Sequence, residues 1–167
     1  MARLVILPME RRYLPQVLAI EQHSFSDPWN ENAFEVELDH PWAWFRVAGL
    51  PGPDGTLERV DGFILCYMLP GDMHVINVAV VPGVRKAGLG KRLLKEALDT
   101  FAARGGGMVG LEVRISNQAA QTLYRSFGFS VVGTRPGYYR KENEDALVMV
   151  CRIEPAPGVA SSLGSSP

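Results

Sequence analysis

Apolar positions recur along this chain in two periods, and their alternation lays out the elements. Leu89, Leu93, Leu94, Ala97, Leu98 and Phe101 share one face of a 3.6-residue repeat, which predicts an amphipathic helix ended by Gly105-Gly106-Gly107. Leu14, Val17, Leu18, Ile20 and Phe25 carry the same period within 11–25, and Pro15 suits the first turn, so that helix starts near Tyr13. Asp27-Pro28 breaks it, and Asn30 can cap a short helix, Glu31 to Leu38, presenting Phe34, Val36 and Leu38. Strands are expected over 3–7, 43–50, 58–69, 73–81, 108–114, 129–133 and 145–152, with 43–50 and 58–69 forming a hairpin across the Pro51–Gly55 turn. Ser116-Asn117 caps a helix carrying Ala119, Ala120, Leu123, Tyr124 and Phe127, and Gly128 closes it. From Glu154 the periodicity stops, so the chain divides into a domain over 1–153 and a disordered tail over 154–167. The element order indicates an α/β or α+β single sheet with helices on both faces.

Composition narrows this little. At 167 residues, 47% hydrophobic and 21% charged, the chain suits one packed soluble domain. A net charge of −1 argues against a global nucleic-acid footprint while leaving room for a local basic patch at 85–92. Cys66 and Cys151 stand in apolar runs without metal or redox spacing and are expected to be buried free thiols. No stretch is long enough to span a membrane, and the N-terminal run lacks a cleavage signal, so a cytoplasmic location is expected.

The loop before the 89–101 helix changes the picture. Arg85-x-x-Gly88-x-Gly90 follows an apolar strand and opens a helix. Unpaired backbone N–H groups and the helix dipole favour an anion there. Gly88 and Gly90 allow close approach, and Arg85, Lys86, Lys91 and Arg92 add charge, so a pyrophosphate is the natural guest. The glycine order does not fit a dinucleotide fingerprint, and Leu89 stands where a Walker A loop needs lysine.

Glu112 lies between Leu111 and Val113 and shares the opposite strand face with Gly110. Partial desolvation there makes a carboxylate a better base; pairing with Arg114, Arg125 or a backbone donor would make it purely structural. Asn117 is either a helix cap or a ligand contact. Tyr124, seven residues on and on the same side, is either a core aromatic or a phenol able to protonate a thiolate.

Motif A of the GNAT (Gcn5-related) N-acetyltransferases resembles the 85–90 loop. The block Leu111-Glu112-Val113-Arg114-Ile115-Ser116-Asn117-Gln118-Ala119-Ala120, with Leu123-Tyr124 and Phe127-Gly128-Phe129, is similar to that of the RimI-type protein N-α-acetyltransferases within that superfamily. Ser24-Phe25-x-x-Pro28-Trp29, Arg135-Pro-Gly-Tyr138-Tyr139 and Glu144-Asp145-Ala146-Leu147-Val148-Met149 resemble further segments, so that about residues 3–152 match in order.

The resemblance implies a mixed, mostly antiparallel central sheet flanked by helices, and acetyl-coenzyme A as cosubstrate with no metal. By position it assigns backbone hydrogen bonds to Val78, Ala79 and Val80, and a pyrophosphate cradle to Arg85, Lys86, Ala87, Gly88, Leu89, Gly90 and Lys91. Asn117 would touch the coenzyme arm, Glu112 would be the general base and Tyr124 the general acid. Pro28-Trp29 and Tyr138-Tyr139 would line the acceptor slot. Ala87 departs from the family's usual Arg or Lys, with Lys86 able to compensate, and Val84 replaces a frequent aromatic. The implied partner is a protein N-terminus, the N-terminal alanine of the eighteenth small-subunit ribosomal protein in particular. A GNAT acting on lysine or a small amine, or a non-catalytic acyl-coenzyme A sensor, are the competing readings. His74 reads as structural.

Overall fold

The computed structural model describes residues 3–83 and 88–163. Its strands are β1 Val5–Pro8, β2 Ala43–Pro51, β3 Leu57–Leu69, β4 Gly71–Val80, β5 Gly107–Arg114, β6 Ser130–Tyr139 and β7 Glu144–Ile153. Its helices are α1 Leu14–Ser24, α2 Glu31–Leu38, α3 Leu89–Ala103 and α4 Gln118–Ser126. The strands form one mixed sheet in the order β1-β2-β3-β4-β5-β7-β6. β4 and β5 run parallel and the other recorded pairs run antiparallel. By contacts the chain divides into two units: residues 1–67 with 76–97, and residues 68–75 with 98–167.

In the first unit the core gathers Tyr13, Val17, Phe34, Val47, Phe63 and Leu65, all nearly inaccessible. α1 has its proline in the first turn, as the spacing predicts. The Asn30 side chain caps α2 by accepting from the Ala33 N–H at 2.9 Å. α2 is rotated from the expected face. Phe34 is buried, but Val36 is 66% exposed and Glu37 is the second buried residue, because its Oε1 accepts from the Tyr67 hydroxyl of β3. The hairpin has the expected partners, with Ala43 opposite Tyr67 and Val47 opposite Phe63. Leu89, Leu93, Leu94 and Ala97 of α3 are buried as their period requires.

In the second unit β5 alternates as predicted: Val109, Leu111 and Val113 are buried, and Gly110, Glu112 and Arg114 are half-buried. Asn117 caps α4 by accepting from the Ala120 N–H at 3.0 Å. β6 runs six residues past its expected end, through Arg135 to Tyr139. Residues 154–163 also differ from the expected tail. Ala156 N–H donates to the Ala102 carbonyl, Ser162 N–H to Gly105, and the Ser162 hydroxyl to Arg104, so this segment is tied to carbonyls in the last turn of α3 and in the turn after it. Cys66 and Cys151 are both buried and unpaired, and burial pushes their thiols up from the ordinary range. Among the described residues no helix is long and apolar enough to cross a membrane.

Candidate active site

The predicted site residues fall into both units. In the second unit Glu112 sits at the centre of a polar cluster. The four-residue parallel pairing sets Gly71 against Gly107 and His74 against Gly110. Paired residues on parallel strands point to the same side, and Glu112 lies two residues beyond Gly110 on that side. Gly110 has no side chain to intervene, and His74 Nε2 lies 2.7 Å from Glu112 Oε2. The other oxygen, Oε1, lies 3.5 Å from Arg135 Nη2. Arg114 binds Glu142 at 2.8 Å and Glu144 at 3.4 Å.

Those pairs fix the turn carrying Tyr138 and Tyr139. The Arg114 guanidinium stands 4.0 Å from the Tyr139 ring centre, and Arg135 stands 5.7 Å from that of Tyr138. The two tyrosine rings meet edge to face at 5.0 Å. Gly137 N–H donates to Asp145 Oδ1 at 2.8 Å, and Asn143 takes the left-handed conformation that closes the turn. Burial pushes the Tyr139 hydroxyl up to about 12, against the opposing pull of Arg114. Burial raises Tyr138 too, and the Glu112 charge adds to it. Both phenols therefore stay protonated at neutral pH and act there as hydrogen-bonding groups. The Ser116 hydrogen bond holds Glu144 below the usual carboxylate range, so it stays charged for Arg114. Tyr124 is 6% exposed with its ring 5.8 Å from Phe129. The Asn117 side-chain oxygen is engaged by its helix cap.

In the first unit the strand segment Val78–Val80 continues from Asn77, whose Nδ2 donates to Glu21 Oε1 at 2.6 Å. The second Glu21 oxygen accepts from the Trp29 N–H at 3.1 Å. One buried carboxylate, 1% exposed, thus joins the Pro28-Trp29 loop to the residue before Val78. The Trp29 ring packs 5.2 Å from Phe34. Ala79 and Val80 are each 7% exposed, and the Val81 N–H is taken by the Asp61 carbonyl. Gly88 adopts φ +76, and nothing among the described residues lies within 4 Å of where a side chain would start, so these residues leave room at the mouth of α3. Leu89 points inward, Gly90 lies 3.7 Å from Val80 by the same measure, and Lys91 is exposed. Arg85, Lys86 and Ala87 lie outside the described residues.

Sequence reasoning missed Glu21, Asn77, His74 and Arg135 as parts of these clusters. Glu21 had a signal: it occupies the i+4 position from Val17 within an apolar stripe. Burial raises its carboxyl above the ordinary 4.5, against the two hydrogen bonds. A group that binds its proton more tightly when folded stabilises the fold most below its unfolded value, and that contribution is lost as pH rises through the folded value. Glu21→Gln is therefore expected to flatten the fall of melting temperature with pH above 4.5. Because an amide accepts at only one end, it also costs about 1–3 kcal/mol for the donor left unpaired. Thermal unfolding of both proteins across pH checks both parts.

The profile of the acetyltransferase (GNAT) family matches residues 14–129. The ribosomal protein bS18-alanine N-acetyltransferase of Escherichia coli K12 is 31% identical over 150 residues, spanning 89% of this chain and 97% of that protein. The N-alpha-acetyltransferase RimI of Mycobacterium tuberculosis H37Rv is 44% identical over 124 residues, spanning 74% of this chain and 75% of that protein. The crystal structure of the E. coli ribosomal-protein-S18-alanine N-acetyltransferase superposes with a TM-score of 0.81 at 29% identity, covering 93% of this chain and 97% of that one.

Proposed function

The chain belongs to the GNAT acetyltransferase family, and from that premise we propose that it is a protein N-α-acetyltransferase whose acceptor is the N-terminal alanine of ribosomal protein bS18. The observation that carries this reading is the similarity, along 89% of the chain, to an enzyme named for that reaction. A ribosomal-protein acceptor also implies work in the cytoplasm.

Acetyl-coenzyme A supplies the activated acyl group as a thioester. The open space at Gly88 and the exposed Lys91 at the start of α3 support a pyrophosphate site there, with Arg85, Lys86 and Ala87 completing the motif. Val78, Ala79 and Val80 would hold the arm through their backbone, and backbone N–H groups of that segment would steady the developing oxyanion. Asn117 would contact the same arm through whatever its cap leaves free. Pro28-Trp29 and Tyr138-Tyr139 would border the acceptor. The two tyrosines adjoin the Glu112 cluster, which supports that role.

A peptide α-amine has a reference pKa near about 8, so much of it arrives protonated at pH 7. The Glu112 centre would relieve it of a proton, directly or through water. Tyr124 would donate to the departing sulfur. Tyr124→Phe is expected to lower kcat by about 10²-fold with acetyl-coenzyme A affinity retained, because it removes a proton and not a binding surface. Thiol release and equilibrium binding of the coenzyme measure the two quantities; unchanged turnover would remove the acid assignment.

The reading itself is tested with acetyl-coenzyme A and two peptides of equal length, resolved by mass with fragment localisation. One begins Ala-Arg-Tyr with a free α-amine; the other has a blocked N-terminus and an internal lysine. Acetyl on the first alone is expected. Acetyl on lysine would move the assignment to side-chain transfer, and coenzyme binding with neither peptide modified would move it to an acyl-coenzyme A sensor.

A further inference from the structure

We propose that the proton taken from the acceptor amine comes to rest on His74, with Glu112 holding the imidazole in place and balancing its charge. This rests on the acetyltransferase reading above and changes where its proton goes. His74 Nε2 is 2.7 Å from Glu112 Oε2. With the carboxylate ionised, Nε2–H donates to it, and Nδ1 becomes the basic nitrogen, on the ring edge turned away from Glu112. The remaining carboxylate oxygen faces the Arg135 guanidinium at 3.5 Å. Each carboxylate oxygen thus faces an N–H group, of His74 on one side and of Arg135 on the other, and Nδ1 is the open acceptor of the pair.

Exposure fits the traffic. The His74 side chain is 42% exposed and that of Glu112 only 10%. A base must return its proton to water in every turnover, and the imidazole is the member of the pair in contact with water. As a residue type, histidine is the side chain suited to proton shuttling near neutral pH. In the proposed step one N–H bond of the acceptor ammonium breaks and an Nδ1–H bond forms, directly or across one water. The freed lone pair attacks the acyl carbon, and Glu112 neutralises the imidazolium until it yields the proton to solvent. The second amine proton, lost as the amide forms, offsets the one that Tyr124 gives the sulfur.

The test compares wild type, His74→Gln and His74→Ala on both peptides, with and without added imidazole, alongside melting temperatures. Glutamine can still donate to Glu112 but cannot take up a proton. His74→Gln is expected to lose about 10²-fold in kcat, with the peptide KM and the melting temperature little changed. His74→Ala is expected to lose as much and to recover in proportion to imidazole. A His74→Gln protein at wild-type rate overturns the proposal and leaves His74 a positioning residue. So does a His74→Ala protein that imidazole fails to rescue. Wild-type transfer to lysine instead would sink the N-terminal reading while leaving this test intact, since any ammonium must lose its proton. A wild type inert toward both amines would sink both.

Discussion

Replacing Glu112 by Gln is expected to lower kcat by about 10²- to 10⁴-fold, the range that a positioned base contributes. The substitution preserves shape and keeps one oxygen able to accept from His74 Nε2–H. What disappears is the negative charge between His74 and Arg135. An amide cannot take the amine's proton, and it cannot balance an imidazolium, so the loss follows whichever of the pair holds the proton. Little stability should go with it: the partners Arg135 and His74 are 58% and 42% exposed, so water screens both, and pairs with such partners are worth about 0–1 kcal/mol. Acetyl-coenzyme A binding should also persist, because Glu112 is not among the residues assigned to the pyrophosphate cradle or to the coenzyme arm. Steady-state rates on the Ala-Arg-Tyr peptide, a binding isotherm for the coenzyme and a melting curve separate the three quantities. Full activity at every pH would end the role of Glu112 as the base centre.

The parts of the molecule that were readable beforehand are those governed by near neighbours. The Asn30 and Asn117 caps depend on an N–H three residues away, and both form as expected. The alternation of β5 depends only on the pleat, and it put Glu112 on the half-buried face. The α3 stripe depends on one period and is buried throughout, from Leu89 to Phe101. The misreadings come from distant partners. Glu37 takes the inward place expected of Val36 because its carboxylate accepts a hydrogen bond from a tyrosine hydroxyl 30 residues away. Residues 154–163 are held through backbone groups of α3 and the turn after it, contacts that leave no hydrophobic period to detect. His74 is the clearest case. A lone histidine in a strand carries no signal of its own; its meaning comes from the register that sets it against Gly110, beside a carboxylate 38 residues later. Motif resemblance supplied Glu112 and Tyr124 as candidates, and only the pairing of strands supplied the neighbour of Glu112.

That register rests on Gly107, and Gly107→Ala is expected to cost about 2–6 kcal/mol. Two effects add. Gly107 has φ +138, a conformation that side chains rarely adopt, with strain of about 1–3 kcal/mol for a non-glycine residue. A Cβ there would also sit 2.3 Å from the Gly71 carbonyl oxygen, a backbone atom that cannot swing aside as a side chain can, so overpacking adds about 1–3 kcal/mol. Gly107 is paired on both edges, with Gly71 in β4 and with Ile153 in β7, which leaves little freedom to relax. For a chain of this size the melting temperature should fall by on the order of 10 °C. Gly55→Ala is the matched control. It also has positive φ, at +86, but nothing lies within 4 Å of its Cβ position, so only the strain applies. The functional consequence separates the two variants further. Opening the Gly71–Gly107 pair shifts the start of a four-residue register that ends by setting His74 beside Gly110. Gly107→Ala should therefore lose kcat even well below its melting temperature, whereas Gly55→Ala should keep it. A Gly107→Ala protein with wild-type melting temperature and rate would mean that the close approach of Gly71 and Gly107 is not what holds His74 against Glu112.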